Sequence, residues 1–504
     1  MYSNDGAPVA CVDCWNGDQW DQYMNAKDYD FTRPFFDQLK ELFQINPRFY
    51  AYKFGSFANS EFVNFAKDLK NVYLSYSVLY SEDISYSELI DNSKNSMDCL
   101  AVNKVDGCSY NIDCEGNYNT HFAVQSQNCI DSYFLFDCTN CSNCCLSSNL
   151  RNQQYVFKNM KLTKDGYQQA LKELALETYS GFENTRNYFD TMIRDQAIHK
   201  YAFIHAAQDS TGDYNHNVRN VKNCFDVYNC ENIKYSNRVF DSKDCMDNSG
   251  LGYGEMIYES MAGTQNTFMD KFCYITIQGC RECEYSLILK NCSNCFGCVG
   301  LTNAKFYIFN KQYEEKEYHE MVAKIKEHMN EMPYVDEKGR VFRYGEFFPY
   351  DMSPFGYNES TALDHFPSTK EEAINKGYPW KDKEKKDYHP TVKSINLPDG
   401  INDVTDDILN EVIACPNNGD VMTQCTTAYK ITPTELQFYK LKNLPLPRFC
   451  PNCRHYARLK YRNSMLLYDR QCMKPTCENR FKTTFAPDRP EIIYCEKCYQ
   501  QEVY

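Results

Sequence analysis

The sequence contains no run of about eighteen apolar residues, the length that a membrane-spanning helix needs. Its first residues, MYSNDGAPVACVDC, lack the basic and apolar regions of a secretory signal. These absences predict a cytoplasmic protein whose 27 cysteines stay reduced. In that setting, CxxC pairs indicate zinc ligands, and single cysteines indicate small buried apolar residues.

The common motifs of catalysis are missing as well. The chain has no HExxH, no P-loop, no GxGxxG and no nucleophile elbow. The sequence therefore favours a non-enzymatic protein, although it does not decide whether the chain is an enzyme of another kind.

Positive charge is scarce over the 504 residues. The net charge is -14, so the average surface repels nucleic acid and anionic membranes. Mean hydropathy is low, at -0.64, but 41 Tyr and 32 Phe are too many for a disordered chain. The combination predicts an elongated fold with much surface and a core of Tyr, Phe, Ile, Val and Cys.

An internal repeat organises the chain. Residues 141–150, CSNCCLSSNL, resemble residues 292–301, CSNCFGCVGL. Each copy runs into a helical pattern, KDGYQQALKELALETY (164–179) in the first and EEKEYHEMVAKIKEHM (314–329) in the second. This similarity predicts two tandem units.

A finer rhythm runs inside each unit, where short apolar or aromatic runs alternate with Asn, Asp, Ser and Cys. Cys108 and Cys129 are 21 residues apart, and so are Cys224 and Cys245. Such a spacing indicates a period near twenty and a mainly β fold, a parallel β-solenoid (right-handed β-helix) with inserted helices. We expect ladders of like residues, with Asn at the turns and with Cys and aromatic rings inside.

Composition and repeats together predict seven segments. They are a partial zinc-ribbon remnant (1–30), a helical N-terminal cap (31–69), a first solenoid unit with its helix (70–175), a helical connector (176–216), a second solenoid unit with its helix (217–329), an extended strap and linker (330–410) and a tandem zinc-ribbon domain (411–504).

The cysteines inside the two units have three interpretations. Reduced structural thiols are favoured, and metal or cluster ligation and disulfides stay open. Against metal, the triplets Cys138/Cys141/Cys144 and Cys292/Cys295/Cys298 lack a fourth ligand at fixed spacing and are out of register between the copies. The full set is Cys99, Cys108, Cys114, Cys129, Cys138, Cys141, Cys144, Cys145, Cys224, Cys230, Cys245, Cys273, Cys280, Cys283, Cys292, Cys295 and Cys298.

The C-terminal region carries the most specific pattern. Cys472, Cys477, Cys495 and Cys498 have the spacing C-x4-C-x17-C-x2-C. Two cysteine knuckles on adjacent hairpins supply the four thiolates of a tetrahedral zinc site. Such a closed set predicts a structural ion rather than a catalytic one.

A second zinc set is predicted just before the first. Its members are Cys415, Cys425, Cys450 and Cys453. FCPNC is a good knuckle, but nine residues separate Cys415 from Cys425, where two to four are usual. One or two structural zinc ions are therefore expected per chain.

Basic residues concentrate in the same region. Residues 448–498 contain eleven Lys and Arg against five acids. Because tyrosines are interleaved with them, Arg454, Arg458, Lys460 and Arg462 are candidate nucleic-acid contacts. The alternative is that this basic segment docks onto the acidic solenoid.

Several stretches together resemble a known family. They are CVDCWNGDQWDQYMNAKDYDFTRPFFDQL, the repeated NCSNCFGCVGL and YIFNKQY, ITPTELQFYKLKNLPLPRFCPNC, LKYRNSMLLYDRQC and APDRPEIIYCEKCYQQEVY. They resemble uncharacterised zinc-ribbon, cysteine-rich repeat proteins of uncultured candidate-phylum bacteria. The resemblance covers nearly the whole chain and implies this architecture, but it implies no established activity.

The chain departs from that family in two places. The family has a ribbon pair before the solenoid, whereas residues 2–21 resemble only its second half, with Asp5 near Asp488 and Cys11/Cys14 matching Cys495/Cys498. We therefore expect a truncated gene product, in which Cys11 and Cys14 form a half-site that stays incomplete or is completed between chains. The other departure is Met422, which replaces the first cysteine of a CxxC with Cys425.

Three functions follow from these patterns. The leading one is a zinc-binding scaffold whose ribbons dock a protein partner, with self-association as an option. The second is nucleic-acid binding through the basic ribbon. The third is a carbohydrate-active β-helix enzyme using Asp241, Asp244 and Asp247, although aspartates in a turn pattern are usually turn formers.

Overall fold

The chain forms a mainly β structure with several parallel sheets, which confirms the coarse fold prediction. The computed structural model describes residues 8–17, 20–382 and 388–504. Ten α-helices are present within these residues: α1 (Val12–Asn16), α2 (Phe35–Ile45), α3 (Lys164–Glu173), α4 (Tyr179–Asp195), α5 (Glu315–Glu331), α6 (Ala362–His365), α7 (Lys370–Asn375), α8 (Pro433–Lys442), α9 (Pro451–Leu459) and α10 (Glu496–Val503). No described helix is both long and apolar enough to cross a bilayer.

Two successive stacks of strands, parallel except for the last strand of each stack, form the body of the fold, and we call them unit 1 and unit 2. The strands of unit 1 are Lys53–Ala58, Val63–Tyr73, Ser75–Ser85, Glu88–Asp91, Lys94–Met97, Leu100–Asn103, Ile112–Glu115, Tyr118–Val124, Ile130–Phe136, Ser142–Ser148, Gln154–Phe157 and Met160–Lys161. Those of unit 2 are Ile204–Gln208, Gly212–Lys222, Cys224–Lys234, Asn237–Phe240, Lys243–Met246, Ser249–Glu255, Thr264–Phe268, Tyr274–Ile277, Leu287–Lys290, Ser293–Phe296, Lys305–Ile308 and Lys311–Gln312.

Short strand pairs complete the sheets. Val9–Ala10 pairs with Arg48–Phe49, Ile198–Lys200 with Ile492–Tyr494, Tyr334–Val335 with Val341–Phe342, and Tyr468–Gln471 with Arg480–Thr483, while Val392–Lys393, Ile413–Ala414 and Ala428–Tyr429 form one sheet. The described parts of the strap, 332–382 and 388–410, are mostly irregular, with short helical turns rather than long strands.

The stacking register is twelve residues, so the predicted period near twenty is wrong. Val63 pairs with Ser75, and Val218 pairs with Cys230. The register lengthens to thirteen around Tyr274, which pairs with Leu287. The spacing of 21 that suggested the longer period is seven steps of three residues, so it connects buried positions that do not stack on one another.

A three-residue step explains this register. From Val63 to Ser147, every third residue is buried. From Phe65 to Lys158, every third residue has a positive φ. Left-handed backbone turns the chain, and Asn, Asp and Gly adopt it at least cost. Four such steps make one layer, which brings residue i over residue i+12.

The buried column is made of small side chains, which corrects the prediction that aromatic rings lie inside. Each side of a layer is only three residues long, so the interior accommodates mainly Val, Ser, Cys, Ala, Thr and Asn. Ser93 shows why polar residues are suitable there. Its Oγ donates to the carbonyl of Asp91 at 2.8 Å and accepts from the N–H of Val105 at 3.2 Å.

Aromatic rings stack on the outer faces instead, at the same twelve-residue spacing. The rings of Tyr110 and Phe122 lie 4.5 Å apart, and those of Phe122 and Phe134 lie 4.8 Å apart. Phe182 and Phe189 of α4 cover this stack and form a second core outside the layers. The predicted Asn ladders are present at the turns, as in Asn128 to Asn140 at 3.3 Å.

The helices close the ends of the units. The predicted helix at 164–179 stops at Glu173, because Ala175 has a φ of 49° and Thr178 caps a new helix, α4. The helix α2 near the N-terminus packs on unit 2, where Phe35 contacts Tyr285 at 5.4 Å between ring centroids. The segment before unit 1 in the sequence therefore packs against unit 2.

Candidate metal centres

Two groups of four thiols converge in the C-terminal region. Cys415, Cys425, Cys450 and Cys453 form the first, and Cys472, Cys477, Cys495 and Cys498 form the second; within each group, the ligand atoms all lie within 4.8 Å of one another. Both sequence-predicted sets are thus brought together by the fold. We call them centre 1 and centre 2.

Centre 1 forms although nine residues separate Cys415 from Cys425, a longer spacing than zinc knuckles usually have. Ile413 pairs with Tyr429, and Ala414 pairs with Ala428, in an antiparallel ladder. That ladder brings Cys415 and Cys425 to the same end of a loop, so nine intervening residues are no obstacle. Met422, which stands where a closer cysteine was expected, is 37% exposed and takes no part.

The other two ligands of centre 1 lie at the start of α9. Cys450 is the N-cap residue, and Cys453 lies in the first turn. The N-terminus of a helix carries partial positive charge, which favours thiolate over thiol. The Sγ atoms of Cys415 and Cys453 are 3.8 Å apart. Four sulfurs at about 2.3 Å from a tetrahedral zinc ion would be about 3.8 Å apart, so the group fits zinc.

Backbone and amide donors surround these sulfurs. Nδ2 of Asn417 donates to Sγ of Cys453 at 3.2 Å, and the N–H of Gly419 donates to Sγ of Cys425 at 3.3 Å. Hydrogen bonds with Cys415 and Cys453 lower the pKa of Cys450, whereas hydrogen bonds with Cys415 and Cys450 raise the pKa of Cys453. Negative charge is thus favoured on the sulfur of Cys450, where the neighbouring thiols stabilise it. Thiols that share one metal ion are arranged in this way.

Centre 2 repeats the same construction. Cys472 and Cys477 lie between the paired strands Tyr468–Gln471 and Arg480–Thr483, while Cys495 caps α10 and Cys498 lies in its first turn. The Sγ atoms of Cys477 and Cys495 are 3.9 Å apart. Although burial acts to raise it, hydrogen bonds from Asn479 and Cys498 lower the pKa of Cys495 to about 7. Centre 2 also fits a zinc ion.

The N-terminal half-site has the same local form but only two thiols. Cys11 caps α1, and the N–H of Cys14 donates to Sγ of Cys11 at 3.3 Å. Among the described residues, no third ligand joins these two in a group that could hold a metal. Asp5, which was matched to Asp488 in the sequence, lies outside the described residues.

The inner cysteines occupy the buried column of the units, except Cys145, which is buried in the second core outside the layers. Cys138, Cys141 and Cys144 are three successive inner positions, which explains the Cx2Cx2C spacing. Their S–H groups donate to backbone carbonyls, as from Cys138 to Phe136 at 3.4 Å. Burial raises the pKa of Cys108 to about 12, which favours the neutral thiol, whereas hydrogen bonds from Cys280 and Cys295 lower that of Cys292 to about 5. Within the described part of the chain, no inner triplet is among the groups that could hold a metal, and no disulfide is present.

Three of the four candidate nucleic-acid contacts are buried inside the molecule. Nη1 of Arg458 lies 2.6 Å from Oδ1 of Asp98, and Nη1 of Arg454 lies 3.0 Å from Oε1 of Glu435. Their side chains are 2% and 3% exposed. These guanidiniums are therefore not an accessible surface for a polyanion. Unit 1 supplies one of the buried acids, Asp98, and α8 supplies the other, Glu435.

Arg462 extends this row of arginines to unit 2. Its Nε lies 3.1 Å from Asp113 of unit 1, and its Nη2 lies 2.5 Å from Asp226 of unit 2. The three arginines thus dock onto the acidic units, which is the alternative that the sequence left open. Of the four candidates, only Lys460 is exposed.

The three aspartates suggested for carbohydrate chemistry lie at left-handed turn positions. Asp241, Asp244 and Asp247 have φ of 46°, 54° and 57°. Asp241 accepts a hydrogen bond from Asn229 at 3.0 Å, and Asp244 accepts one from Asn232 at 2.7 Å. Their contacts are those of a turn ladder.

A third group of ligands was missed from the sequence. Glu88, Asp364 and His455 converge with their ligand atoms within 4.8 Å of one another. They come from unit 1, the strap and α9, so no local spacing could reveal them. Compared with models of known protein families and with curated protein sequences, the chain matches none. The geometry alone therefore carries the functional interpretation.

Proposed function

We propose that this chain is a non-enzymatic scaffold in which two parallel β-solenoid units are held together by a tandem zinc ribbon. In this proposal each unit is a right-handed solenoid with a twelve-residue coil. The twelve-residue register, the positive φ at every third residue and the column of small buried side chains support it. The resemblance to cysteine-rich zinc-ribbon repeat proteins agrees with it and remains part of the proposal.

One observation carries the role of the ribbon. Arg462 follows α9, which begins beside Cys450 of centre 1, and it contacts Asp113 of unit 1 and Asp226 of unit 2. A metal at centre 1 would fix the start of α9 and thereby the position of the arginine row. We infer that metal binding and the assembly of the two units are coupled.

Centre 2 would stabilise the other side of the same assembly. The strand Ile492–Tyr494 pairs with Ile198–Lys200 of the connector, and Cys495 follows directly. Nη2 of Arg151 donates to the hydroxyl of Tyr499 in α10 at 2.8 Å, which adds a contact with unit 1. Closed sets of four thiolates leave no vacant position for substrate, so both ions would be structural zinc.

The experiment that tests this function counts zinc by native mass spectrometry of protein purified under reducing conditions. We expect two zinc ions per chain, one after Cys450→Ala/Cys453→Ala and one after Cys495→Ala/Cys498→Ala. The matched control, Cys138→Ala, removes an inner thiol and keeps two. Two zinc ions retained after either double substitution, or zinc lost from the control, would show that the inner column is the metal site.

A protein partner is a further part of the scaffold proposal, since a rigid rod without an active site works by holding other molecules. The intact, zinc-loaded chain should recover the same partner repeatedly in pull-down experiments, and less of it after chelation. Recovery of no partner would count against this part. Nucleic-acid binding through the ribbon is a weaker candidate, because the arginines that suggested it are paired with acids of the chain itself.

A further inference from the structure

A small cluster of polar side chains lies where unit 1, the strap and α9 meet. Glu88 belongs to unit 1, Asp364 to α6 and His455 to α9. The side chains of Glu88 and His455 are 9% and 22% exposed, so one edge of the cluster is accessible to solvent. The cluster is separate from centre 1, although His455 follows Cys453 by two residues.

The carboxylate of Glu88 is oriented by a hydrogen bond to one of its two oxygens. Its Oε1 accepts a hydrogen bond from Nη2 of Arg238 at 2.8 Å. Its Oε2 faces Nε2 of His455 at 3.6 Å, which is too long for a hydrogen bond. The two atoms therefore face each other across a gap, and the contact with Arg238 keeps the carboxylate pointing into it.

Asp364 brings a second carboxylate to the same place. Burial, followed by the charge of Glu88, raises the pKa of Asp364 to about 7, although Tyr456 and Arg238 act to lower it. Two carboxylates that converge in a partly buried cluster repel each other unless a proton or a cation lies between them. One guanidinium, that of Arg238, contacts Glu88 of this pair.

We propose that Glu88, Asp364 and His455 bind a divalent first-row transition metal ion, distinct from the zinc ions of centres 1 and 2. Imidazole and carboxylate together suit ions such as Mn²⁺, Fe²⁺ and Zn²⁺. Ligands at about 2.1 Å from such an ion would be about 3 Å apart when adjacent and about 4.2 Å apart when opposite. The 3.6 Å between Oε2 of Glu88 and Nε2 of His455 lies within that range.

The coordination of this ion differs from that of the cysteine centres. Three protein ligands leave further positions for water or for a small ligand with oxygen donors, whereas four thiolates close the site. The hydrogen bond from Arg238 acts on Glu88 as an outer contact that orients the ligand. The proposal thus adds an open metal site to a chain whose other metals are structural.

The test is a titration with Mn²⁺ of protein that carries two zinc ions per chain and no excess zinc, so that zinc does not occupy the third site. Electron paramagnetic resonance measures free and bound Mn²⁺. We expect one Mn²⁺ per chain, and affinity at least about tenfold weaker in Asp364→Asn and in His455→Gln. The control is Asp382→Asn, which changes an exposed strap carboxylate paired with Lys370 and should leave the affinity unchanged.

Native mass spectrometry of the same samples provides an independent check of folding. Every variant should keep two zinc ions, so a lost Mn²⁺ site is distinguished from a lost ribbon. Wild-type protein that binds no Mn²⁺, as a pair of carboxyls sharing a proton would, overturns the proposal. Equal Mn²⁺ affinity of wild type and Asp364→Asn overturns it as well.

Discussion

Nη2 of Arg462 lies 2.5 Å from Oδ1 of Asp226 in unit 2, while Nε of the same side chain lies 3.1 Å from Oδ1 of Asp113 in unit 1. One guanidinium that is 7% exposed thus contacts both units at once. Its ring neighbour is Tyr214, whose centroid lies 4.2 Å from the guanidinium carbon. This side chain balances the charge of both aspartates, and a second, largely buried pair, Arg238 of unit 2 with Glu88 of unit 1, crosses the same junction.

Replacing Arg462 with Met should therefore destabilise the protein strongly. The substitution leaves two buried carboxylates without their cation, and breaking a buried pair in this way costs about 3–5 kcal/mol. Urea unfolding at pH 8 in zinc-containing buffer measures the free energy of unfolding.

Arg219→Gln is the matched control, because Arg219 pairs with Glu231 on the surface with 61% of its side chain exposed. An exposed pair contributes less than about 1 kcal/mol. If both variants lose the same small amount, the buried junction does not hold the units together.

The two cysteine centres were predictable because their ligands come in short local patterns. CxxC at a helix start places two thiols on one turn whatever the rest of the chain does, as Cys450/Cys453 and Cys495/Cys498 show. The presence of two units was predictable for a similar reason, since the string CSNC occurs in both and a helix follows each. Local spacing was sufficient for these features.

The sequence contains a signal for the layer geometry, but the predicted period near twenty was based on a different spacing. A strand pattern normally alternates with a period of two, whereas here a left-handed residue after each pair sets a period of three. The string NCENIKYSN already contains that step, since Cys230, Ile233 and Ser236 are all buried. Spacings of three residues, rather than the recurrence at 21, would have indicated the twelve-residue register.

Contacts between distant segments had no such signal. Asp98 and Arg458 are 360 positions apart, and nothing near either residue indicates the other. The basic composition of 448–498 left open an external polyanion and docking onto the acidic units, and the structure pairs three of its arginines with acids of the chain itself. Charge composition identifies a cationic element but not its partner.

The inner column should accept serine in place of cysteine and reject large rings. Cys138 donates from Sγ to backbone carbonyls, and serine makes the same contacts at inner positions such as Ser126. We expect Cys138→Ser to cost less than about 1 kcal/mol and Cys138→Phe to cost about 1–3 kcal/mol or more through overpacking. Thermal unfolding of the two variants measures the difference. Equal stability of both would mean that the interior is wider than the three-residue step allows.

Asp113 should make the stability of the junction depend on pH. Burial raises its pKa to about 7, although Arg462 acts to lower it. The unfolded value is about 3.9, so the folded state keeps a proton that the unfolded state has released between those two pH values. The free energy of unfolding contributed by this group therefore falls as pH rises through this window, and it levels off above about pH 8.

Asp113→Asn removes the titration and keeps the size of the side chain. Between pH 6 and pH 8, wild-type protein should lose about 1 kcal/mol more stability than Asp113→Asn. Urea unfolding at both pH values, with zinc buffered at the same free concentration, provides the comparison, and effects of cysteine and histidine titration cancel between the two proteins. If the pH profiles of wild type and Asp113→Asn are parallel, Asp113 stays ionised throughout as a permanent partner of Arg462. The charge of Arg462 alone would then compensate for the cost of burying the carboxylate at the junction.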